Sequence, residues 1–368
     1  MSRMWVHDAV QALEADFHRS ADTHMIRLDL EHSPDTPIYL KDESTHPSGS
    51  LKHRLGRSLF LYGLCNGWIK EGTPIIEASS GSTAVSEAYF ARLLGLPFTA
   101  VVPNTTSKKK LSLIELYGGS WHLAEPNKDI CDASQQLAEE LGGHFMDQFT
   151  FAERATDWRG NNSIAESLFR QLQREPEPIP ATIVVSAGTG GTSATIGRFT
   201  RYFRLPSKLV VVDPEHSVFF DYYNSRDDSI TVNAFSRIEG IGRPYVEPSF
   251  LPDVVDDMFR IPDAASLAAM LFLQKKIGRS VGGSTGTNLI GALNVLHYAR
   301  ENDSIFEPGP VVTLICDGGE RYWDTYYQRE WREAHGLFVD EIVERIERFF
   351  ERGEWEPMGE RASHRSTP

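Results

Sequence analysis

The stretch Ser48-Gly49-Ser50-Leu51-Lys52-His53-Arg54 sets one lysine between small, loop-forming residues and an apolar run, Leu55 to Trp68, whose spacing predicts a helix. A primary amine held at such a junction can condense with a carbonyl to form a Schiff base. At or near the start of the helix, Lys52 also lies where free backbone N–H groups and the helix dipole favour an anionic ligand. Most lysines at a helix start are solvated surface charges, so the weight falls on the turns elsewhere in the chain.

After the apolar run Thr182 to Ser186 comes Ala187-Gly-Thr-Gly-Gly-Thr-Ser193, and then a helical stretch, Ala194 to Phe199. Gly188, Gly190 and Gly191 let the backbone approach a phosphate closely, Thr189 and Thr192 offer hydroxyl donors, and the helix start adds oriented N–H groups. The alternative is a merely tight turn. It is not a Walker loop, because the lysine is missing, and the dinucleotide spacing fails with Ser193 in the sixth position. A second turn, Glu77-Ala-Ser-Ser-Gly-Ser-Thr-Ala84, makes either a carboxylate cradle or an over-decorated N-cap. A third, Ser280-Val-Gly-Gly-Ser-Thr-Gly-Thr287, places Ser284 or Thr285 where a hydroxyl can meet a ring nitrogen, or else simply starts a helix. Glu239-Gly-Ile-Gly-Arg243 reads as a plain loop or a gate, and Cys316-Asp-Gly-Gly-Glu-Arg-Tyr322 closes a strand, with Glu320-Arg321 an ion pair or a pocket wall. One lysine with cradles for a phosphate, a carboxylate and a ring nitrogen is what pyridoxal phosphate chemistry requires.

Short apolar runs ending in Gly, Ser, Asp or Pro predict buried parallel strands at Pro74 to Glu77, Phe98 to Val102, Thr182 to Ser186, Leu209 to Val212 and Val311 to Cys316. Helical spacing falls between them at Ser86 to Leu94, Lys109 to Tyr117, Ile130 to Leu141 and Asn162 to Gln173. Alternation of this kind predicts an α/β architecture whose ligands bind at the carboxyl ends of the strands, where the Gly- and Ser-rich turns lie. The proline-rich Arg174 to Pro180 is expected to mark a passage between lobes. Val339 to Phe350 reads as a charged amphipathic helix and Arg361 to Pro368 as a frayed end.

With 368 residues the chain can bury a full core. A net charge of −14 argues against a phosphate-tracking surface, so no nucleic-acid partner is expected. No apolar stretch is long enough to span a bilayer and the N-terminus lacks a secretory apolar core, so no membrane partner and a cytoplasmic location are expected. Cys65, Cys131 and Cys316 are scattered without metal or redox spacing and read as small apolar fillers; no metal is expected.

Taken in order, Lys41 to Arg54, Ser79 to Ala84, Gly188 to Thr192, Gly240-Ile-Gly242, Gly283-Ser-Thr-Gly286 and Gly318-Gly-Glu-Arg-Tyr322 resemble the cysteine synthase and cystathionine β-synthase family of fold-type II pyridoxal phosphate enzymes, over roughly residues 25 to 330. The resemblance implies a tryptophan synthase β-like fold of two lobes, each a mainly parallel sheet flanked by helices. The catalytic region would be 1–330, with 75–165 the smaller mobile lobe and 331–368 a helical tail. It implies that Lys52 is the Schiff-base lysine, that Gly188, Thr189, Gly190, Gly191 and Thr192 hold the cofactor phosphate, and that Ser284 meets the pyridine nitrogen. Ser79, Ser80, Gly81 and Thr83, with Gly240, Ile241 and Gly242, would bind the substrate.

One position departs from the family. Ser82 stands where the family's Ser-Gly-Asn-Thr-Gly loop has the asparagine that bonds the cofactor's 3′ oxygen, and a serine reaches less far. That loop, with Ala155 to Asn162, Phe219-Phe220, Arg237 to Pro244 and Ser284 to Asn288, is most similar to the bacterial L-cysteine desulfhydrase branch. The branch implies α,β-elimination of L-cysteine to pyruvate, ammonia and hydrogen sulfide, with Lys52 also the base for the α proton, and a homodimer. Two alternatives stay open: β-replacement on O-acetylserine or a relative, as in the cysteine synthases, and a non-catalytic amino-acid sensor.

Overall fold

The computed structural model of the chain describes residues 2–19, 22–126, 128–234 and 236–363. In chain order they form α1 (Ser2–His18), β1 (Met25–Leu28), β2 (Ile38–Asp42), α2 (Lys52–Cys65), β3 (Ile75–Ala78) and α3 (Ser82–Leu94). Next come β4 (Phe98–Val102), α4 (Lys108–Leu116), β5 (Ser120–Leu123), α5 (Ile130–Leu141), β6 (His144–Phe145), α6 (Gln148–Ala155) and α7 (Ile164–Leu172). Then follow β7 (Thr182–Ser186), α8 (Gly191–Tyr202), β8 (Lys208–Pro214), α9 (Phe219–Ser225), β9 (Asp257–Ile261), α10 (Asp263–Ile277) and α11 (Gly283–Arg300). The chain closes with β10 (Val311–Ile315), α12 (Arg329–Ala334), α13 (Asp340–Arg352) and β11 (Glu360–Arg361).

These elements fall into two compact units. One takes the described residues up to Asp22 together with His46–Asp157; the other takes Thr23–Thr45 and the described residues from Trp158 onward. The first is built on a four-stranded sheet in the order β5-β4-β3-β6, parallel throughout. Its core joins Leu55, Leu59 and Phe60 of α2, Val85 and Phe90 of α3, and Ile75 and Ala100 of the sheet. The second is built on a seven-stranded sheet in the order β1-β2-β10-β7-β8-β9-β11. Its inner strands run parallel, and only the edge strands β1 and β11 pair antiparallel. Val184, Val210 and Val212 pack there against Leu289, Leu293 and Ile290 of α11. An α/β fold with parallel sheets flanked by helices is the architecture expected.

Several boundaries move. The helix expected from Leu55 to Trp68 begins at Lys52, where the Ser50 hydroxyl accepts the Lys52 N–H at 3.3 Å, and ends at Cys65. The helix expected from Ser86 begins four residues earlier, because the Ser86 hydroxyl donates back to the Ser82 carbonyl at 2.9 Å and stays compatible with helix. Arg174 to Pro180 lies inside the second unit, where Tyr39 of β2 donates to Glu175 at 2.7 Å. Arg361 is no frayed end: it lies in β11 opposite Phe259 and is tied by side-chain bonds to Asp257 and Asp303. Residues 364–368, the rest of that expected end, lie outside the described residues. Cys316 is buried as expected of a filler, whereas Cys65 is exposed.

Candidate active site

In the first unit the lysine and the serine-rich turn are tied together. Lys52, half-buried, is the first residue of α2. The Ser48 hydroxyl, four residues before it, lies 2.8 Å from that of Ser86 and 3.1 Å from Nδ1 of His53. Ser86 in turn bonds the carbonyl of Ser82. His53 is buried between His46, with ring centroids 4.9 Å apart, and Phe90, at 4.6 Å. The turn Ser79-Ser80-Gly81 leaves the carboxyl end of β3 and enters α3, with Ser79 accepting the Gly81 N–H at 3.2 Å. Ser82 and Thr83 therefore sit in the first helical turn, where backbone N–H groups have no partner within the helix. Thr83 donates to Gln148 Oε1 at 2.6 Å, so its hydroxyl is committed to a neighbour.

The second unit gathers the other turns at the carboxyl ends of β7, β8 and β10. Gly188, Thr189 and Gly190 leave β7 and Gly191 and Thr192 open α8. Gly190 is left-handed, with φ of 90°, and a Cβ there would stand 2.4 Å from Phe250 Cα; at Gly188 a Cβ would stand 2.3 Å from the Gly240 carbonyl oxygen. Only glycine fits either place. The second contact also brings the Gly240-Ile241-Gly242 turn against the loop, and Gly242 N–H donates to Ala187 O at 2.9 Å. Ile241 itself is buried and belongs to the hydrophobic core of this unit. Ser284, buried in the first turn of α11, hydrogen-bonds the Cys316 sulfur beyond β10, where Ser186 of β7 also reaches. Burial pushes the Cys316 thiol up to about 12, which leaves it a neutral packing group and no nucleophile.

These donor sets suit the cofactor that the turns suggest. A turn that needs glycine at 188 and 190, carries Thr189 and Thr192 and opens a twelve-residue helix supplies the N–H and hydroxyl donors a phosphate dianion needs. A buried serine hydroxyl can donate to a ring nitrogen, and a half-buried lysine at a helix start can carry a carbonyl carbon.

Two residues the sequence reading passed over belong to the first unit's site. Glu77, at the carboxyl end of β3, and Glu87, on α3, are both fully buried. Their signal was a charge where the pattern demands an apolar side chain: Glu77 follows Ile75-Ile76, and Glu87 shares the buried face of α3 with Ala84, Ala88 and Ala91.

Comparison with known proteins bears on the fold and on the cofactor. A family model described as pyridoxal-phosphate dependent enzyme matches residues 19–317. The chain is 56% identical over 342 residues to L-cysteine desulfhydrase Cds1 of Mycobacterium tuberculosis, covering 92% of each chain. It is 26% identical to a cysteine synthase of Dictyostelium discoideum, covering 87% of this chain and 86% of that one. Among solved structures, a hydrogen sulfide-producing enzyme of Fusobacterium nucleatum superposes with a TM-score of 0.74 at 24% identity, over 87% of this chain and 93% of its own. An O-ureido-L-serine synthase superposes at 0.71 and 24%, over 87% and 95%. At such identity these two structures speak to the fold. No helix among the described residues is long and apolar enough to cross a membrane.

Proposed function

We infer the reaction from one premise: this chain belongs to the pyridoxal-phosphate dependent enzymes. The reaction proposed is α,β-elimination of L-cysteine, in which cysteine and one water give pyruvate, ammonia and hydrogen sulfide. The observation that carries it is the 56% identity, across 92% of both chains, to a protein named L-cysteine desulfhydrase.

The residues take the following roles. Lys52 would hold the cofactor through its ε-amine; Gly188, Thr189, Gly190, Gly191 and Thr192 would take its phosphate; Ser284 would meet its ring nitrogen, and Ser82 its phenolic oxygen. Bound there, pyridoxal phosphate supplies the electron sink for the bond broken at the α carbon. Ser79, Ser80, Gly81 and Thr83 bind the substrate carboxylate with the N–H groups that open α3, and Gly240, Ile241 and Gly242 line the substrate's approach. The Lys52 amine would take the proton from the substrate's α carbon as a general base. The Ser284 hydroxyl would donate a hydrogen bond to the ring nitrogen without protonating it, so the cofactor would supply a weaker electron sink, one suited to elimination. We propose a cytoplasmic homodimer as the working form, on the family resemblance alone.

Purified protein given L-cysteine alone should release sulfide and pyruvate in equal amounts, and Lys52→Ala should lose both turnover and the lysine-linked visible absorbance. No pyruvate from cysteine, with good turnover of O-acetylserine plus sulfide, would move the assignment to β-replacement. A protein that never acquires that absorbance on adding the cofactor would be a sensor.

A further inference from the structure

Beneath the serine-rich turn two carboxyls share one buried place. Glu77 accepts the Ala78 N–H at 2.7 Å and the Gln148 N–H at 3.3 Å, so it has donors suited to an anion. Neither oxygen of Glu87 meets an N–H or O–H donor among the described residues. Once one of the two is protonated, the neighbouring carboxyl able to share that proton is Glu77. Two carboxyl groups in hydrogen-bond contact need a proton between them. The count of donors decides where it sits: on Glu87, given to Glu77. Burial raises both groups above the ordinary carboxylate range, Glu87 the further of the two.

The charged groups acting on the pair come from the elements around it. Asp147, the residue capping α6, bears on Glu77 and disfavours its charge. The positive charge of Lys52, on α2, favours the ionised form of Glu87. His144, on β6 beside β3, is pushed toward its neutral form by burial. No cation hydrogen-bonds either carboxyl among the described residues.

We propose that Glu87 is a positioning residue for the chemistry at Lys52: by sharing one proton with Glu77 it keeps a single negative charge on the buried pair, which favours the ammonium formed at the lysine. With two protons the pair is neutral and gives no help; with none it would place two repelling charges in a dry site. The inference rests on the reading that Lys52 carries the cofactor and takes up the α proton.

The test compares holoenzymes of the wild type, Glu87→Leu and Glu87→Gln by the pH dependence of the lysine-linked visible absorbance and of kcat/KM. Glu87→Leu removes the donor, so Glu77 ionises only at higher pH. The acid-side midpoint should rise by about one unit or more, the worth of a hydrogen bond to a charged group. Glu87→Gln keeps an N–H donor and should follow the wild type. A Leu variant that titrates with the wild type, or a Gln variant shifted as far as the Leu variant, overturns the proposal. Should the Leu variant not fold, the infrared carbonyl band of a protonated buried carboxyl decides. It is expected as a band lost between the wild type and Glu87→Gln at neutral pH, over any contribution from the buried Asp213 carboxyl, which burial also pushes up to about 7; a difference spectrum without a lost band sinks the idea. The absorbance and infrared measurements do not depend on which amino acid reacts, so failure to make sulfide from cysteine would count against the proposed function alone.

Discussion

Asp257 and Asp303 in one unit and Glu77 and Glu87 in the other are acids withdrawn from water, yet only the first two are neutralised. Arg361 lays its guanidinium across Asp257, at 2.7 Å, and forks both oxygens of Asp303, at 2.7 and 3.0 Å. It also stacks over Tyr298, 4.4 Å from the ring centroid. Bonding to Arg361 holds the Asp303 carboxyl down at about 2. Among the described residues Glu77 has two backbone N–H donors and Glu87 has none, and burial drives both up. A buried acid with a cation bonded to it ties distant chain together. A buried acid without one gives up stability and stays poised to titrate, which is why perturbed carboxyls gather at reactive sites.

The largest effect should come from breaking the neutralised cluster. Arg361→Ala would leave Asp257, whose side chain is 1% exposed, without its cation. Removing one partner of a buried pair costs about 3–5 kcal/mol, so denaturant unfolding should show a loss of that size. A loss under about 1 kcal/mol would mean that the cluster is solvated and that the contrast with Glu77 and Glu87 is only one of geometry.

That cluster could not be read from the sequence, because Arg361 stands 104 residues from Asp257 and 58 from Asp303. What could be read was local. Phe98–Val102 and Thr182–Ser186 are strands at the expected bounds, being short apolar runs closed by breakers. Ile130–Leu141 is bounded by the Asp129 cap and the left-handed Gly142. By contrast α10, apolar nearly all round, has no polar face to reveal a period, and β5 is exposed along its whole length. For the site, turn chemistry marked the segments around Lys52, Gly190 and Ser284, since glycine and hydroxyl clusters are visible in one dimension. Glu87 was not marked, because its meaning lies in having Glu77 ten residues away in the chain but against it in space.

Between these extremes lies the pH dependence of stability, where the two regions should act with opposite sign. The folded values of Glu77 and Glu87 exceed the ordinary 4.5, so the folded chain keeps protons that the unfolded chain has lost. Their contribution is whole below about pH 4.5 and is lost as pH rises through the folded values. Asp303 is depressed from 3.8 to about 2, so its contribution is present above about pH 4 and is lost as pH falls through 2. Urea unfolding across pH should show both limbs. Glu87→Leu should flatten the alkaline limb and gain about 1 kcal/mol near pH 8, since a desolvated acid is replaced by an apolar side chain of similar size. Arg361→Ala should flatten the acid limb. A Leu variant less stable than the wild type at pH 8 would show that the pair is a structural device.

The smallest effect isolates burial from pairing. Lys275 of α10 and Glu347 of α13 are 3.6 Å apart, with side chains 71% and 43% exposed. The pair has a cation, as Asp257 does, but water competes for both ends. Holding two long side chains in one arrangement also consumes most of the attraction. Lys275→Ala should therefore change unfolding stability by less than about 0.5 kcal/mol, and that small difference should shrink further at high salt. A loss approaching that of Arg361→Ala would mean that having a cation at all, and not the exclusion of water around it, separates Asp257 from Glu87. Glu87, dry but without a bonded cation, would then differ from Asp257 by its missing partner alone.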